Sequence, residues 1–144
     1  MVEIHDLSHW TSRYSFEEFL ACAETRPLGL KSEPAFHPLL KEIRALVPVP
    51  GDEYSKDIDV LIKPHQNNHQ GQSLHKHWQH TAIFYVNPSS AIAVIENGVE
   101  RRIWPHRGEV VILPPDTEHY ACPNDSDDIR LSFAMLVEPP IKRR

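Results

Sequence analysis

Histidines are concentrated in one short part of the sequence, where five of the ten in the chain lie between residues 65 and 80. The segment SLHKHWQHTAIFYV contains His75 and His77, and an apolar run follows directly. In an extended chain, residues two apart point to the same side, so we expect these two imidazoles to project together. Neutral imidazole binds iron, zinc, copper and nickel well. The pair therefore predicts part of a metal site.

A third ligand is predicted at His119. The segment GEVVILPPDTEH ends at this histidine after a glycine, a short apolar run and a double-proline turn, so His119 is expected at the end of a β element. Three protein ligands leave positions on a metal open for substrate or oxygen. His80 is an alternative ligand. It comes three residues after His77 and faces the opposite side of a regular strand, but a β-bulge would change that direction.

A buried cation is predicted near the end of the sequence, in DIRLSFAMLV. Arg130 and Ser132 share one face of this predicted strand with Ala134 and Leu136, whereas every residue of the other face from Leu131 onwards is apolar. A strand that is apolar on both faces is usually buried on both. Arg130 therefore needs a partner, because an unpaired buried guanidinium costs several kcal/mol.

Two roles for Arg130 remain open. Its planar guanidinium, placed near a metal, is well suited to binding a carboxylate in a bidentate manner. Alternatively it forms a structural ion pair with acidic residues that shortly precede it. These acids are Asp125, Asp127 and Asp128.

Other polar and aromatic side chains are candidates for the surroundings of the site. His65 and His69 lie in a polar segment and are expected to line its entrance. Several aromatic residues could line the substrate side or pack in the core. They are Trp78, Tyr85, Trp104 and Tyr120.

The elements that must position these side chains differ along the chain. Residues 1–52 are predicted to be helical, with a capping box at Ser15 and Glu18 and a second helix over 38–46. From 57 to 138, short β-type runs alternate with turn residues. The predicted strands are 58–62, 81–86, 91–95, 99–104, 109–113 and 129–137. The pattern predicts an antiparallel sandwich or barrel with helices packed outside.

Length and composition narrow the classes of function. The 144 residues fit a single domain, 1–144. A net charge of −5 argues against a general nucleic-acid binder. No run reaches the roughly 20 apolar residues of a membrane span, and the first residues do not form a signal-peptide pattern. We therefore expect a cytoplasmic protein with a small-molecule partner, and exposed strand edges would permit a homodimer.

From Asp57 to Glu138 the sequence resembles the Fe(II)/2-oxoglutarate-dependent oxygenases, particularly the small bacterial and phage branch. The matching segments are HKHWQHTAIFYVNP, GEVVILPPDTEH and PNDSDDIRLSF. In this family a histidine motif enters a strand, and a distal histidine follows a Gly-strand-Pro segment. An arginine comes later, followed by x-Ser. The resemblance implies a double-stranded β-helix with helices buttressing one side.

The resemblance also implies a cofactor, Fe(II), and a co-substrate, 2-oxoglutarate. His75 and His119 would be metal ligands, and Arg130 with Ser132 would hold the distal carboxylate of 2-oxoglutarate. Most members have Asp or Glu where this sequence has His77. We therefore expect a three-histidine site and an oxygenase that hydroxylates an unidentified substrate.

Two alternative functions come from the similarity to cupins. GEVVILPPDTEH resembles the second cupin motif, with Asp116 where glycine is usual, and HKH resembles the start of the first. The glutamate of that first motif is absent, since Thr81 and Ala82 stand there. The alternatives are a cupin-type three-histidine dioxygenase that does not use 2-oxoglutarate and a non-catalytic barrel that binds a small ligand.

Overall fold

A computed structural model of the chain describes residues 1–25, 34–49, 60–66, 71–123 and 130–137. The described helices are α1 (His9–Arg13), α2 (Phe16–Thr25) and α3 (His37–Leu46), and a 3-10 turn, Pro34–Phe36, precedes α3. The described strands are β1 (Glu3–Asp6), β2 (Val60–Gln66), β3 (His80–Asn87), β4 (Ile92–Glu96), β5 (Val99–Ile103), β6 (Glu109–Leu113), β7 (Glu118–Ala121) and β8 (Leu131–Val137).

The strands form two antiparallel sheets. The larger has the order β1-β6-β3-β8-β2, and the smaller has the order β5-β4-β7. Strands that are neighbours in a sheet are mostly distant in sequence, as in a jelly roll. The chain is thus mainly β with N-terminal helices, and its fold is the double-stranded β-helix that the resemblance implied.

Alternation along the central strand β3 separates two apolar layers. Phe84 and its even-numbered neighbours pack in one cluster with the helices, where Phe19 of α2 and Leu39 of α3 are fully buried. Ile83 and Tyr85 face the other way, into a cluster with residues of the smaller sheet such as Val94. One face of the larger sheet is therefore covered by helices, and the other encloses the space between the sheets.

Two local predictions, the capping box and the second helix, are confirmed. The capping box exists as two reciprocal hydrogen bonds: the Glu18 N–H donates to Ser15 Oγ at 3.1 Å, and the Ser15 N–H donates to Glu18 Oε1 at 3.2 Å. The second helix begins at His37, one residue before the predicted start. Asn97 and Gly98, at φ values of 52° and 75°, form the tight turn between β4 and β5.

Other elements differ from the sequence prediction. The first residues were expected to be helical throughout, yet β1 pairs with β6. Its sequence, EIHD, is short and mostly exposed, so backbone pairing rather than a buried face defines it. The strand predicted at 58–62 is described only from Val60 and continues to Gln66, which includes Pro64. β2 is an edge strand among the described residues. Proline has no backbone N–H to donate, and it is tolerated in an edge strand because one side of such a strand forms no hydrogen bonds to a neighbouring strand.

Some predictions lie outside the described residues or are partly covered. His69, which was expected to line the entrance to the site, lies outside the described residues. His65 was expected in a polar loop, but its backbone lies in β2 opposite Ser132.

The longest helices of the described ranges, α2 and α3, have ten residues each, and no helix there could cross a membrane.

Gly108 offers a test of how the N-terminal segment is attached to the sheet. It has a φ of 84°, donates its N–H to the carbonyl of Tyr85 and accepts from the N–H of Leu7. A Cβ at this position would lie 2.4 Å from Cα of Ser8. We expect Gly108→Ala to lower the free energy of unfolding by about 3 kcal/mol, from left-handed strain plus overpacking. Urea unfolding monitored by circular dichroism measures this change.

Gly98→Ala is the matched control, because Gly98 has a φ of 75° and nothing within 4 Å of the added Cβ. We expect a loss of about 1 kcal/mol for this variant, from backbone strain alone. Equal losses in the two variants would contradict the close approach at Gly108.

Candidate metal centre

Three histidines from two distant parts of the sequence meet at one end of the space between the sheets. A potential ligand nitrogen from each of His75, His77 and His119 lies within 4.8 Å of the other two. The ring centroids of His75 and His119 are 4.3 Å apart, and His77 lies 5.3 and 5.5 Å from them. This spacing is compatible with three nitrogens that surround one ion at bond lengths of about 2 Å.

Backbone hydrogen bonds bring the first two histidines to the third. The histidine arm, residues 72–77, runs antiparallel to β7 and forms a bridge between His75 and His119. The His75 N–H donates to the carbonyl of His119 at 3.0 Å, and the His119 N–H donates to the carbonyl of His75 at 2.8 Å. Farther along, the N–H of Asp116 donates to the carbonyl of His77 at 2.7 Å.

The start of the arm is fixed by Gln72. Its N–H donates to the carbonyl of Ala121 at 2.9 Å, and its side-chain Oε1 accepts from the N–H of Ala121 at 3.2 Å. Gly71, which precedes it, has a φ of 76°, and a Cβ there would lie 2.6 Å from the Ala121 carbonyl oxygen. The chain can approach β7 this closely only because residue 71 has no side chain.

The orientation of two imidazoles is set by backbone carbonyls. Nδ1 of His75 lies 2.7 Å from the carbonyl oxygen of Ser73, and Nδ1 of His119 lies 2.8 Å from that of Thr117. A carbonyl oxygen can only accept, so each Nδ1 carries the hydrogen. In the neutral ring, Nε2 is then left with a lone pair, which is the arrangement found in metal-binding histidines.

The side chains on the other face of the arm point away from this group, as the period of an extended chain predicts. Lys76 is exposed, and Trp78 is 59% exposed. His80, the alternative ligand, is not brought to the group. It begins β3, and its pKa is lowered by burial and by the nearby Arg44 guanidinium of α3. In β3, His80 lies two and four residues before Ala82 and Phe84, which pack against the helices, so it belongs to the helical face of the sheet.

A cavity of about 210 Å³ lies beside the histidines. The residues that line it from β8 are Arg130, which precedes the strand, and Ser132, Ala134 and Leu136. These four are the residues that the sequence assigned to one face. The opposite face, which includes Phe133 and Met135, packs in the cluster with the helices. The structure thus brings both predicted groups, the histidines and the Arg-x-Ser pair, to a single cavity.

Arg130 is only 3% exposed. One of its terminal nitrogens, NH1, donates to Oγ of Ser90 and to the carbonyl oxygen of Cys122, the latter at 2.6 Å. Burial lowers the pKa of the guanidinium, but arginine stays protonated in proteins. The three acids considered as ion-pair partners lie outside the described residues.

Tyr85 also lines the cavity, and the sequence had identified it only as one of four aromatic candidates. Burial raises the pKa of its hydroxyl far above the ordinary value, so the side chain is a neutral donor at physiological pH. The other three candidates lie outside the cavity lining. Trp104, like Trp78, is mostly exposed, and Tyr120 donates a hydrogen bond to Glu100 at 2.9 Å.

Sequence reasoning missed Gln72, Thr81 and Ser90, which also line the cavity. The alternation of β3 could have identified Thr81, because it lies two and four residues before Ile83 and Tyr85 on the same face. No local pattern distinguishes Gln72 or Ser90, since each lies in a segment that is positioned by contacts with β7.

The chain is similar to solved structures in fold. No protein-family model matches the sequence, and no curated protein sequence matches it. A prolyl 4-hydroxylase from Phytophthora capsici superposes with a TM-score of 0.63 at 14% identity, over 96% of this chain and 58% of that chain. An oxidoreductase of the 2OG-Fe(II) oxygenase family from Burkholderia pseudomallei superposes with a TM-score of 0.50 at 10% identity, over 63% of this chain and 49% of that chain.

These similarities support the predicted fold. At such low identities they establish the double-stranded β-helix and leave the chemistry to the residues of this chain. The chain spans about half of the length of the two solved structures that it matches.

Substitution of each clustered histidine tests the ligand set. We expect His75→Ala, His77→Ala and His119→Ala each to weaken Zn(II) or Co(II) binding by more than about 100-fold, since changes to groups that merely orient ligands already cost about 10–100-fold. Isothermal titration calorimetry on protein stripped with chelator measures the affinities.

His80→Ala is the control, because His80 belongs to the same histidine-rich segment but faces the helices. We expect its metal affinity to equal that of the wild type. A large loss with His80→Ala, together with a wild-type affinity for His77→Ala, would contradict the ligand set.

Proposed function

We propose that the protein is a non-haem Fe(II)-dependent oxygenase that uses 2-oxoglutarate as its co-substrate. The observation that supports this proposal is the shared cavity: three clustered imidazoles and the Arg130-Ser132 pair line one space of about 210 Å³. Pockets for drug-sized ligands are usually larger than about 300 Å³. The cavity is therefore of a size for a small acid.

The donor set fits Fe(II). Imidazole nitrogens suit iron, zinc, copper and nickel, whereas magnesium and calcium prefer oxygen ligands. His75, His77 and His119 would hold the metal through Nε2 where Nδ1 donates to a carbonyl. When bound, Fe(II) supplies the redox chemistry with O₂ for which protein side chains have no equivalent.

The other polar groups of the cavity fit a dicarboxylate. The guanidinium of Arg130 would bind the distal carboxylate of 2-oxoglutarate, with the Ser132 hydroxyl as a second donor. Among the described residues that line the cavity there is no carboxylate, so nothing in this set competes with the acid for the cation. The co-substrate would be oriented between the arginine and the histidines before the substrate reacts.

We propose that the reaction is the hydroxylation of a substrate C–H bond. 2-Oxoglutarate, O₂ and a substrate C–H bond give succinate, carbon dioxide and a C–OH group, with one oxygen atom of O₂ in succinate and the other in the product. The apolar residues Ile83, Ala134 and Leu136 line the cavity and would exclude water from it. We propose a small molecule as the substrate.

His77 supports a second candidate function. With a carboxylate at this position, the ligand set would carry one negative charge, whereas three neutral imidazoles carry none. The three-histidine set of this chain resembles that of cupin-type dioxygenases, which use a metal and O₂ without 2-oxoglutarate. The two candidates differ in whether Arg130 and 2-oxoglutarate are required.

The test measures succinate formed from 2-oxoglutarate with Fe(II) under air. We expect the wild type to form succinate and Arg130→Ala to lose at least about 100-fold in kcat/KM for 2-oxoglutarate, because charged hydrogen bonds to both carboxylate oxygens are removed. Arg101→Ala is the control. Arg101 is exposed on β5, pairs with Glu96 at 2.9 Å, and does not line the cavity, so its removal should leave the activity unchanged.

Each outcome distinguishes the candidates. Metal-dependent O₂ consumption that is indifferent to 2-oxoglutarate and to Arg130→Ala would support the cupin-type dioxygenase and contradict the first proposal. Metal binding without any O₂ consumption would support a ligand-binding barrel instead.

A further inference from the structure

Arg130 is anchored by a closed set of three hydrogen bonds that involves two other segments of the chain. Its NH1 donates to Oγ of Ser90 and, at 2.6 Å, to the carbonyl of Cys122. The hydroxyl of Ser90 in turn donates to the same Cys122 carbonyl at 3.2 Å. Ser90 therefore acts as an acceptor towards the guanidinium and as a donor towards the backbone.

The two acceptors are themselves fixed. The N–H of Cys122 donates to the carbonyl of Ala91 at 2.9 Å, and the N–H of Ser90 donates to the carbonyl of Pro88 at 2.5 Å. Because Ser90 and Ala91 are consecutive, the turn between β3 and β4 is attached to the end of β7 at two adjacent residues.

The anchor is connected to the metal centre through β7. Cys122 directly follows this strand, and His119 lies within it. The carbonyl that holds Arg130 is therefore only three residues from a clustered histidine, along a backbone that is paired on both sides, with β4 and with the histidine arm. This connection fixes the separation between the guanidinium and the imidazoles.

We propose that Ser90 is a positioning residue which, by holding Arg130, selects the length of the 2-oxo diacid that the cavity accepts. This inference rests on the proposed function. A diacid that binds at both ends must match the distance between the histidines and the guanidinium. Arginine has a long side chain with high rotamer entropy. When Ser90 no longer accepts from it and only the Cys122 carbonyl remains, its guanidinium has more freedom to meet acids of other lengths.

The test compares Ser90→Ala with the neighbouring Ser89→Ala. Both changes remove a hydroxyl from the same turn. Ser89, however, does not line the cavity, and its buried Oγ has no hydrogen-bond partner in the part of the chain that the structure describes. Ser90→Thr retains the hydroxyl and should restore the wild-type behaviour.

We expect Ser90→Ala to raise KM for 2-oxoglutarate about tenfold while kcat at saturation stays within about twofold, as for the loss of one hydrogen bond to a charged group. The preference for 2-oxoglutarate over 2-oxoadipate, which is one methylene longer, should fall about tenfold. Calorimetry of the two acids on Zn(II)-loaded protein without turnover should give the same change in relative affinity.

The failure of this inference can be distinguished from the failure of the proposed function. If wild-type protein neither binds nor consumes either acid, the proposed function fails, and the role of Ser90 fails with it. If the wild type uses 2-oxoglutarate but Ser90→Ala behaves like Ser89→Ala, only the role of Ser90 is overturned. An equal loss for both acids overturns it as well, because it indicates a general structural effect.

Thermal unfolding of every variant shows whether it is folded. If Ser90→Ala is not folded, Ser90→Cys gives the same test, because a thiol of similar shape is a weak acceptor. A preference in Ser90→Cys equal to that of the wild type would overturn the proposal.

Discussion

The histidine cluster depends on one pair of backbone hydrogen bonds, between His75 and His119. Directly opposed residues of an antiparallel pair have Cβ atoms about 4.5–5.5 Å apart on the same face, so this pairing by itself brings two imidazoles together. His77 then joins them because it is two residues farther along the same arm. A shift of the arm by a single residue would move both of its histidines to the opposite face of the sheet from His119. The site is thus a consequence of register, and the close approach at Gly71 helps to fix that register.

The cavity beside the histidines results from strict alternation in β3 and β8. In β8 and at Arg130 just before it, the even-numbered residues face the cavity, and the apolar odd-numbered residues face the helices. This division could be predicted from the sequence because it requires only the two-residue period of a strand. The same period, applied to β3, would have separated Tyr85 from Phe84, yet the aromatic residues had been considered only by type. Alternation thus accounts for the parts of the cavity wall that β3 and β8 form, whereas the rest of the lining comes from other segments.

The remaining features could not be predicted because they arise from contacts between distant segments. β1 has four residues and little apolar character, so only the available edge of β6 makes it a strand. The role of Ser90 depends on Cys122, which lies 32 positions later, and no local pattern links a serine in a turn to a carbonyl at the end of another strand. The convergence of His119 with the first pair was expected, but the choice between His77 and His80 was left open by the sequence. The structure groups His77, and not His80, with His75 and His119, and the bend at residues 78 and 79 separates His77 from the strand that His80 begins.

β7 connects the two ends of the cavity, which are the histidine cluster and the guanidinium of Arg130. His119 lies on it, and the carbonyl of Cys122 just after it holds Arg130, so both the histidine group and the guanidinium are attached to one short stretch of backbone. Three neutral imidazoles contribute no negative charge, so they do not repel an anion, whereas the guanidinium attracts one. A buried anion would be stabilised at the arginine end, and at the histidine end only through a bound metal cation. Both groups are therefore held by this one strand and the residue that follows it. The separation that a diacid would have to match is therefore maintained by backbone pairing, and the side-chain hydroxyl of Ser90 adds the last constraint, on the direction of the arginine.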